Sequence, residues 1–298
     1  MATPTQPYSG ENLGATPLED ADRDAERQWR TRGYVLLRGV LDPARAARLR
    51  RICDDVLEQW RRRDPQSGRP GGGADATVMR HLNHPAYFAG GAPGLEDLLR
   101  LVIEPRLLHL AGTILGEEPM FRCTSYFFNP TGESLDGEWH RDSQYMTADE
   151  ASERAMLVAG GDGGSGIQLQ VALVPSDDVE IVPASHLRYD TPEEYAIRRA
   201  DGGRNNRSNA MPGALRLSLD AGDAAAFNSL GLHRGRYHAD KLRRTVMITY
   251  TKGSMPVRDY FSSQPWFLNP AYRARIPSEA TSFFGRFIET YADFWRAA

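Results

Sequence analysis

The chain reads as an α+β protein in which helices support a barrel or sandwich of short strands. Three observations point that way. Apolar stripes at helical spacing run through residues 18–118. From residue 119 to about 255, short β-type runs alternate with turn residues. The last stretch, 256–298, closes on a helical pattern. At 298 residues, 41% of them apolar, the chain is long enough to bury a sizeable core. Residues 1–17 are rich in Pro, Thr and Gly and are expected to be loosely ordered, with 18–298 forming one domain.

Each element has a local reason. "LEDADRDAERQWRTRG" (18–33) is acidic early and basic late, the charge order that suits a helix dipole, and Gly33 supplies a stop. "YVLLRGV" (34–40) is a short β-rich run. In "DPARAARLRRICDDVLEQWRRRD" (42–64), Asp42 is the cap and Pro43 the first helical residue. The stripe Ala46, Leu49, Ile52, Val56 and Trp60 marks its buried face. A loop follows at 65–76. Residues 94–118 form two helical pieces broken at Pro105. The β-type runs are 120–130, 165–175, 180–186, 214–229 and 243–253, with Gly- and Asn-rich connections at 159–166 and 201–213 as candidate mobile loops. In "SFFGRFIETYADFWR" (282–296), Phe284, Phe287, Ile288, Tyr291, Phe294 and Trp295 share a broad face, expected to dock on the core.

Composition narrows the function. The net charge is -3 and the basic residues are nearly all Arg, with Lys only at 241 and 252, so no polybasic surface speaks for nucleic acid or for a membrane partner. Cys53 and Cys123 stand far apart, without metal-type spacing, which suggests a reducing compartment. The N-terminus lacks an apolar signal region and no run approaches 18 apolar residues, so a cytoplasmic protein acting on a small molecule is expected; the oligomeric state stays open.

The chemistry concentrates in "GEWHRDSQY" (137–145). On extended backbone, His140 and Asp142 leave the same face and reach one ion, while Trp139 and Arg141 point the other way. His233 follows a β run and a Gly-containing turn, and supplies a second imidazole. Two imidazoles and one carboxylate leave open positions on one side of an octahedral ion, which suits non-haem Fe(II) and O2 chemistry; mixed N/O ligation without thiolate disfavours structural zinc. Eleven residues after His233, Arg244 opens a strand in which Arg244, Val246, Ile248 and Tyr250 share a face. If that face lines the barrel, the guanidinium needs a buried anionic partner, such as a dicarboxylic co-substrate. Arg243 then points away; with the strand in the opposite phase, the two arginines exchange roles.

His-x-Asp, a distal His and an Arg beyond it resemble the phytanoyl-CoA dioxygenase family of Fe(II)/2-oxoglutarate oxygenases. "RGYVLLRGVLDP", "EWHRD" and "IVPASH" also resemble that family, in order, so the similarity covers roughly residues 20–255. It implies a double-stranded β-helix, a cupin-like jelly-roll barrel flanked by N-terminal and C-terminal helices. It also implies His140, Asp142 and His233 as iron ligands, Arg244 on the distal carboxylate of 2-oxoglutarate, and hydroxylation with succinate and CO2 as products. Gln168 and Gln170, on one strand face, would line the co-substrate pocket, with Tyr126 and Thr124 as further candidates. His81, Asn83 and Tyr145 are candidates for the substrate mouth, and the long 143–166 segment for a lid. The family often has Ser two residues after the distal His and Gly in the "PGSH" turn; here these places hold Gly235 and Ala184. His186, in that turn, and His109 are read as structural; His186 or His238 would be the alternative second histidine, but only His233 gives the eleven-residue spacing to Arg244. The alternatives are a cupin-type metal enzyme that uses no 2-oxoglutarate and a silent small-molecule-binding barrel.

Overall fold

The computed structural model describes residues 18–158 and 166–297; the stretch 1–17 and nearly all of the 159–166 connection lie outside them. The strands are β1 (Tyr34–Leu37), β2 (Val78–Arg80), β3 (Pro119–Phe128), β4 (Leu135–Asp136), β5 (Gly166–Ala172), β6 (Ser176–Ile181), β7 (Leu215–Leu219), β8 (Ala224–Phe227), β9 (His233–Tyr237) and β10 (Arg244–Lys252). They pair antiparallel throughout. One sheet runs β1-β8-β5-β10-β3-β2 and the other β4-β9-β6-β7. Helices cover the outer face of the larger sheet, and the smaller sheet lies across its inner face.

The helices begin and end where local chemistry directs. Helix Pro43–Arg62 starts with Asp42 accepting the Arg45 N–H at 2.8 Å, and buries Ala46, Leu49 and Val56. The two pieces around Pro105 are Leu95–Val102 and Pro105–Leu115. Helix Thr281–Ala297 docks Phe284 and Phe287 on Phe121 and Phe267 and Trp295 on Phe267, and the Trp295 indole donates to the Ser262 carbonyl at 2.8 Å. Among the described residues no helix is long and apolar enough to cross a membrane. The 143–166 and 201–213 connections hold short helices that the sequence reading did not separate: Ser143–Met146, Glu150–Val158 and Ala200–Gly203.

The phase of β10 decides what faces the site. Thr249, Met247 and Thr245 pair with Gln168, Gln170 and Ala172 of β5 on one side and with Cys123, Ser125 and Phe127 of β3 on the other. Directly paired residues share a face, so this row looks into the space between the sheets. Arg244, Val246, Ile248 and Tyr250 form the opposite row, packed with Leu169, Val171, Tyr126 and Phe128 under the helices.

Beneath the His140–Asp142 segment lies a buried charge network. Arg141, which sits between the two candidate ligands, is fully buried and pairs with Asp190 at 2.9 Å, donating also to the Ser185 and Leu230 carbonyls. Arg198 holds the other Asp190 oxygen at 2.6 Å and grips both oxygens of Glu153 at 3.1 Å. Glu153 in turn accepts from Ser143 at 2.9 Å and Arg199 at 2.8 Å. Burial works to raise the Glu153 pKa, but its arginine and hydroxyl partners outweigh it and hold the group below its usual value. Nearby, the "PASH" turn places Ala184 at φ +63, where glycine is at ease and a Cβ is strained.

Three outcomes follow from this packing. Asp190→Ala leaves buried Arg141 without its carboxylate and Arg198 with Glu153 alone, and lowers stability by about 3–5 kcal/mol, read from denaturant unfolding at neutral pH. The Glu153 contribution is complete above its unfolded pKa of 4.5 and is lost as pH falls through its lower folded value. Glu153→Gln therefore flattens the loss of stability below about pH 4.5. Ala184→Gly removes the left-handed strain and raises the unfolding free energy by up to about 1 kcal/mol, after the entropy of the freer chain is subtracted.

Candidate metal centre and cavity

The backbone assembles the metal ligands. His140 and His233 form an isolated antiparallel bridge, with N–H···O distances of 3.1 and 3.0 Å, and the Asp142 N–H donates to the Ser229 carbonyl at 2.8 Å. His233 is the first residue of β9, and the 228–232 turn before it is held by Leu232 N–H donating to Ser185 Oγ at 2.7 Å. Asp142 is no longer extended: its φ of −63° and ψ of −23° turn the chain into helix Ser143–Met146. One atom from each of His140, Asp142 and His233 lies within 4.8 Å of the other two.

The tautomers suit metal binding. His140 Nδ1 lies 2.7 Å from the Glu138 carbonyl and His233 Nδ1 2.9 Å from the Gly231 carbonyl, so each Nδ1 carries the proton. Both Nε2 lone pairs then face Asp142 Oδ1, at 3.8 and 3.7 Å. Burial first, and the neighbouring His140 second, hold His233 neutral well below the usual imidazole range. Gln168 donates to Asp142 Oδ2 at 2.8 Å, leaving Oδ1 toward the histidines. Three ligand atoms converge on one point, each side chain oriented by its own hydrogen bond, and the set fits a divalent metal ion such as Fe(II).

The ligands open into a cavity of about 600 Å³ between the sheets. Gln168, Gln170 and Tyr145 line it, as the sequence reading expects, with the Tyr145 ring 5.9 Å from His140 at the mouth. Gln170 is buried and its Oε1 has no protein partner.

Other placements differ from that reading. Arg244 points away from the cavity, to an ion pair with Asp54 of helix Pro43–Arg62. The anionic partner demanded by its apolar row is thus a carboxylate of the protein itself. The arginine in the cavity is Arg243, one residue earlier and so on the opposite face. Its side chain is 1% exposed; Nε has no hydrogen-bond partner and lies 3.8 Å from Asp178, while Nη1 donates to the Arg236 carbonyl at 3.3 Å. Tyr126 and Thr124 share the Arg244 face: Tyr126 donates to Asp54 at 3.2 Å, and Thr124 accepts the Leu82 N–H at 3.1 Å. Cys123 and Phe127 line the cavity in their place.

His81 and Asn83 do not line the cavity either. His81 is buried between the Tyr260 and Trp266 rings, and Asn83 binds Gln264 at 2.9 Å and Tyr272 at 3.2 Å, because the chain leaves β2 toward the C-terminal segment there. His186 meets the Arg30 carbonyl at 3.2 Å and lies against Gly33, away from the metal ligands. The sequence reading missed Arg80, Arg122 and Tyr237 on the cavity wall. A Cβ on Gly235 would come within 2.6 Å of the Tyr237 hydroxyl, so that hydroxyl fills the space beside Gly235. β2 is three residues long and β9 follows its turn directly, so neither carries a period that could have flagged Arg80 or Tyr237; Arg122 falls at the register shift of β3, where the pairing with β10 passes from Cys123 to Phe121.

Comparison with known proteins places this geometry. A family model described as "Phytanoyl-CoA dioxygenase (PhyH)" matches residues 29–245. No curated protein sequence matches the chain significantly. Solved structures share its fold. SnoK, a non-heme alpha ketoglutarate dependent carbocyclase from nogalamycin biosynthesis, has a TM-score of 0.55 at 20% identity, over 80% of this chain and 87% of its own. AviO1 from Streptomyces viridochromogenes Tue57 has a TM-score of 0.54 at 19% identity, over 79% and 97%. EctD from S. alaskensis, solved with 2-oxoglutarate and 5-hydroxyectoine, has a TM-score of 0.52 at 17% identity, over 83% and 82%. The family match spans most of the chain and takes in His140, Asp142, His233 and Arg243 alike. This chain is a member of the phytanoyl-CoA dioxygenase family.

Proposed function

We propose that the protein is an Fe(II)/2-oxoglutarate-dependent oxygenase that hydroxylates an unactivated C–H bond of a small metabolite or natural-product intermediate, with succinate and CO2 as co-products. One observation carries the reading: a His/Asp/His cluster and an under-satisfied buried arginine, Arg243, face the same cavity. The two antiparallel sheets are read as a jelly-roll barrel, within a single domain from residue 18 to 298. Helices support it over 18–118 and 256–298.

His140, Asp142 and His233 would hold the iron on one side and leave its other side open to the cavity. When bound, Fe(II) with 2-oxoglutarate supplies the activation of O2 and the oxidation of the substrate C–H. The chain's own work is placement. Arg243, braced between the Phe127 ring at 5.2 Å and the Tyr237 ring at 4.9 Å, presents its fork to the distal carboxylate of the co-substrate. The Tyr237 hydroxyl and Gln170 Oε1 offer further polar contacts along that wall. Tyr145 is 69% exposed above His140, where it can cover the mouth once substrate is in place. SnoN, which has a TM-score of 0.53 to this chain, was solved with Fe3+ and alpha ketoglutarate, in keeping with this donor set.

The test needs no substrate. Metal-free protein mixed anaerobically with Fe(II) and 2-oxoglutarate is expected to develop the weak visible charge-transfer band of the chelate. His140→Ala abolishes the band. Arg243→Ala raises the 2-oxoglutarate concentration needed for half-formation by at least about tenfold, the loss of one charge-assisted pair. Arg244→Ala leaves that concentration unchanged and lowers thermal stability instead. If iron binds and no band forms, a cupin-type metal enzyme that uses no 2-oxoglutarate replaces this reading.

A further inference from the structure

The cavity carries a second cationic wall. The candidate metal ligands sit over β5 and β8, where Gln168 and Phe227 touch Asp142 and His233. Arg80 ends β2, at the edge of the same sheet, three strands beyond β5 and so about 14 Å across it. Arg80 and its neighbour Arg122 both line the cavity.

These two arginines are not equivalent. Arg122 is neutralised by an ion pair with Asp259, and its guanidinium lies over the Phe261 ring at 5.0 Å. Arg80 donates to Ser125 Oγ at 2.6 Å and lies against the rings of Phe127 at 5.7 Å and Phe261 at 5.3 Å. Among the described residues it has no ion pair. Its direction is fixed by its pairing with Ser125 of β3, in the row that looks into the space between the sheets.

The charges in the cavity can be assigned one by one. Asp142 belongs with the candidate metal and Asp259 with Arg122. Arg234 is matched by Glu180 at 2.6 Å. Arg243 lies 3.8 Å from Asp178 and, under the function proposed above, also takes the distal carboxylate of the co-substrate. Arg80 is left over. A guanidinium held between two rings, partly out of water and without a counter-charge, is costly by itself and pre-oriented for an anion with two oxygens.

We propose that Arg80 binds an anionic oxygen group, a carboxylate or a phosphate, of the primary substrate. The substrate class is then an organic acid or phosphate ester whose anion lies several bonds from the carbon presented to the metal. The word "substrate" rests on the oxygenase reading; the anion site does not.

The test is calorimetric titration of benzoate, phenyl phosphate and uncharged benzamide into Fe(II)-loaded, 2-oxoglutarate-saturated protein without oxygen. One of the two anions is expected to bind at least tenfold more tightly than benzamide, and which one does so separates carboxylate from phosphate. In Arg80→Gln the preference falls below twofold. Equal affinity for the anions and benzamide in the unmodified protein overturns the proposal, and this comparison stands even if the variant does not fold. So does a preference that survives Arg80→Gln. The same titrations on metal-free Arg243→Gln protein, in which the co-substrate's arginine is absent, keep the question separate from the oxygenase reading. A preference that disappears there with Arg80 intact overturns the proposal, because the anion was then at Arg243 or on the metal.

Discussion

Two backbone hydrogen bonds between His140 and His233 govern the geometry of the site. They join segments almost a hundred residues apart and set the two imidazoles with ring centroids 4.3 Å apart. The orientation of the three candidate ligands builds on them. The carbonyls of Glu138 and Gly231 lie two residues before each histidine and fix both tautomers. Asp142 can reach the same point only because its own N–H is pinned to Ser229 in the turn that precedes His233. A metal site held by backbone pairing is rigid before any ion arrives, which is the condition for placing a substrate against it.

The network below the site serves the same end at a larger cost. Arg141 is wholly buried between the two ligands, and the chain accommodates it only by surrounding it with Asp190 and carbonyl oxygens from the "PASH" turn and the 228–232 turn. The second arginine, Arg198, carries this to Glu153, and Glu153 to Ser143 directly after Asp142. Helix Glu150–Val158, the "PASH" turn and the ligand segment are thereby tied together. Such a cluster is weak evidence for net stability, since apolar residues could fill the volume as well; what it gives is one arrangement of these loops.

The cavity shows how one strand's phase decides which of two adjacent charges faces it. Arg243 and Arg244 are neighbours with opposite duties. Arg244 spends its charge on Asp54 and joins the helices to the sheet, while Arg243 faces the cavity with its Nε unsatisfied. Gln168 and Gln170 lie on the Arg243 side because β5 pairs with β10 through Thr249 and Met247. Tyr126 and Thr124 lie on the Arg244 side for the same reason.

Much of this was legible in the residues. Local signals of capping, proline position and apolar spacing depend only on near neighbours, and they marked the helices 18–32, 43–62, 95–115 and 281–297 to within a few residues. His-x-Asp, a later histidine and inward glutamines named the candidate ligand set and part of the cavity wall, although Asp142 turns into a helix and is not extended as its spacing from His140 suggested. The spacing from His233 to Arg244 could not say which of two adjacent arginines turns inward, because strand side chains alternate and a single residue reverses the face. That choice is made by the register of β10 against β3 and β5, a long-range pairing. The same holds for Arg80, which a three-residue edge strand carries into the cavity from a part of the chain to which the sequence reading assigns no element. The sequence by itself determined which kinds of donors were present and in what order. Only the tertiary structure decided which face each one occupies, because facing is a property of paired strands and not of either strand alone.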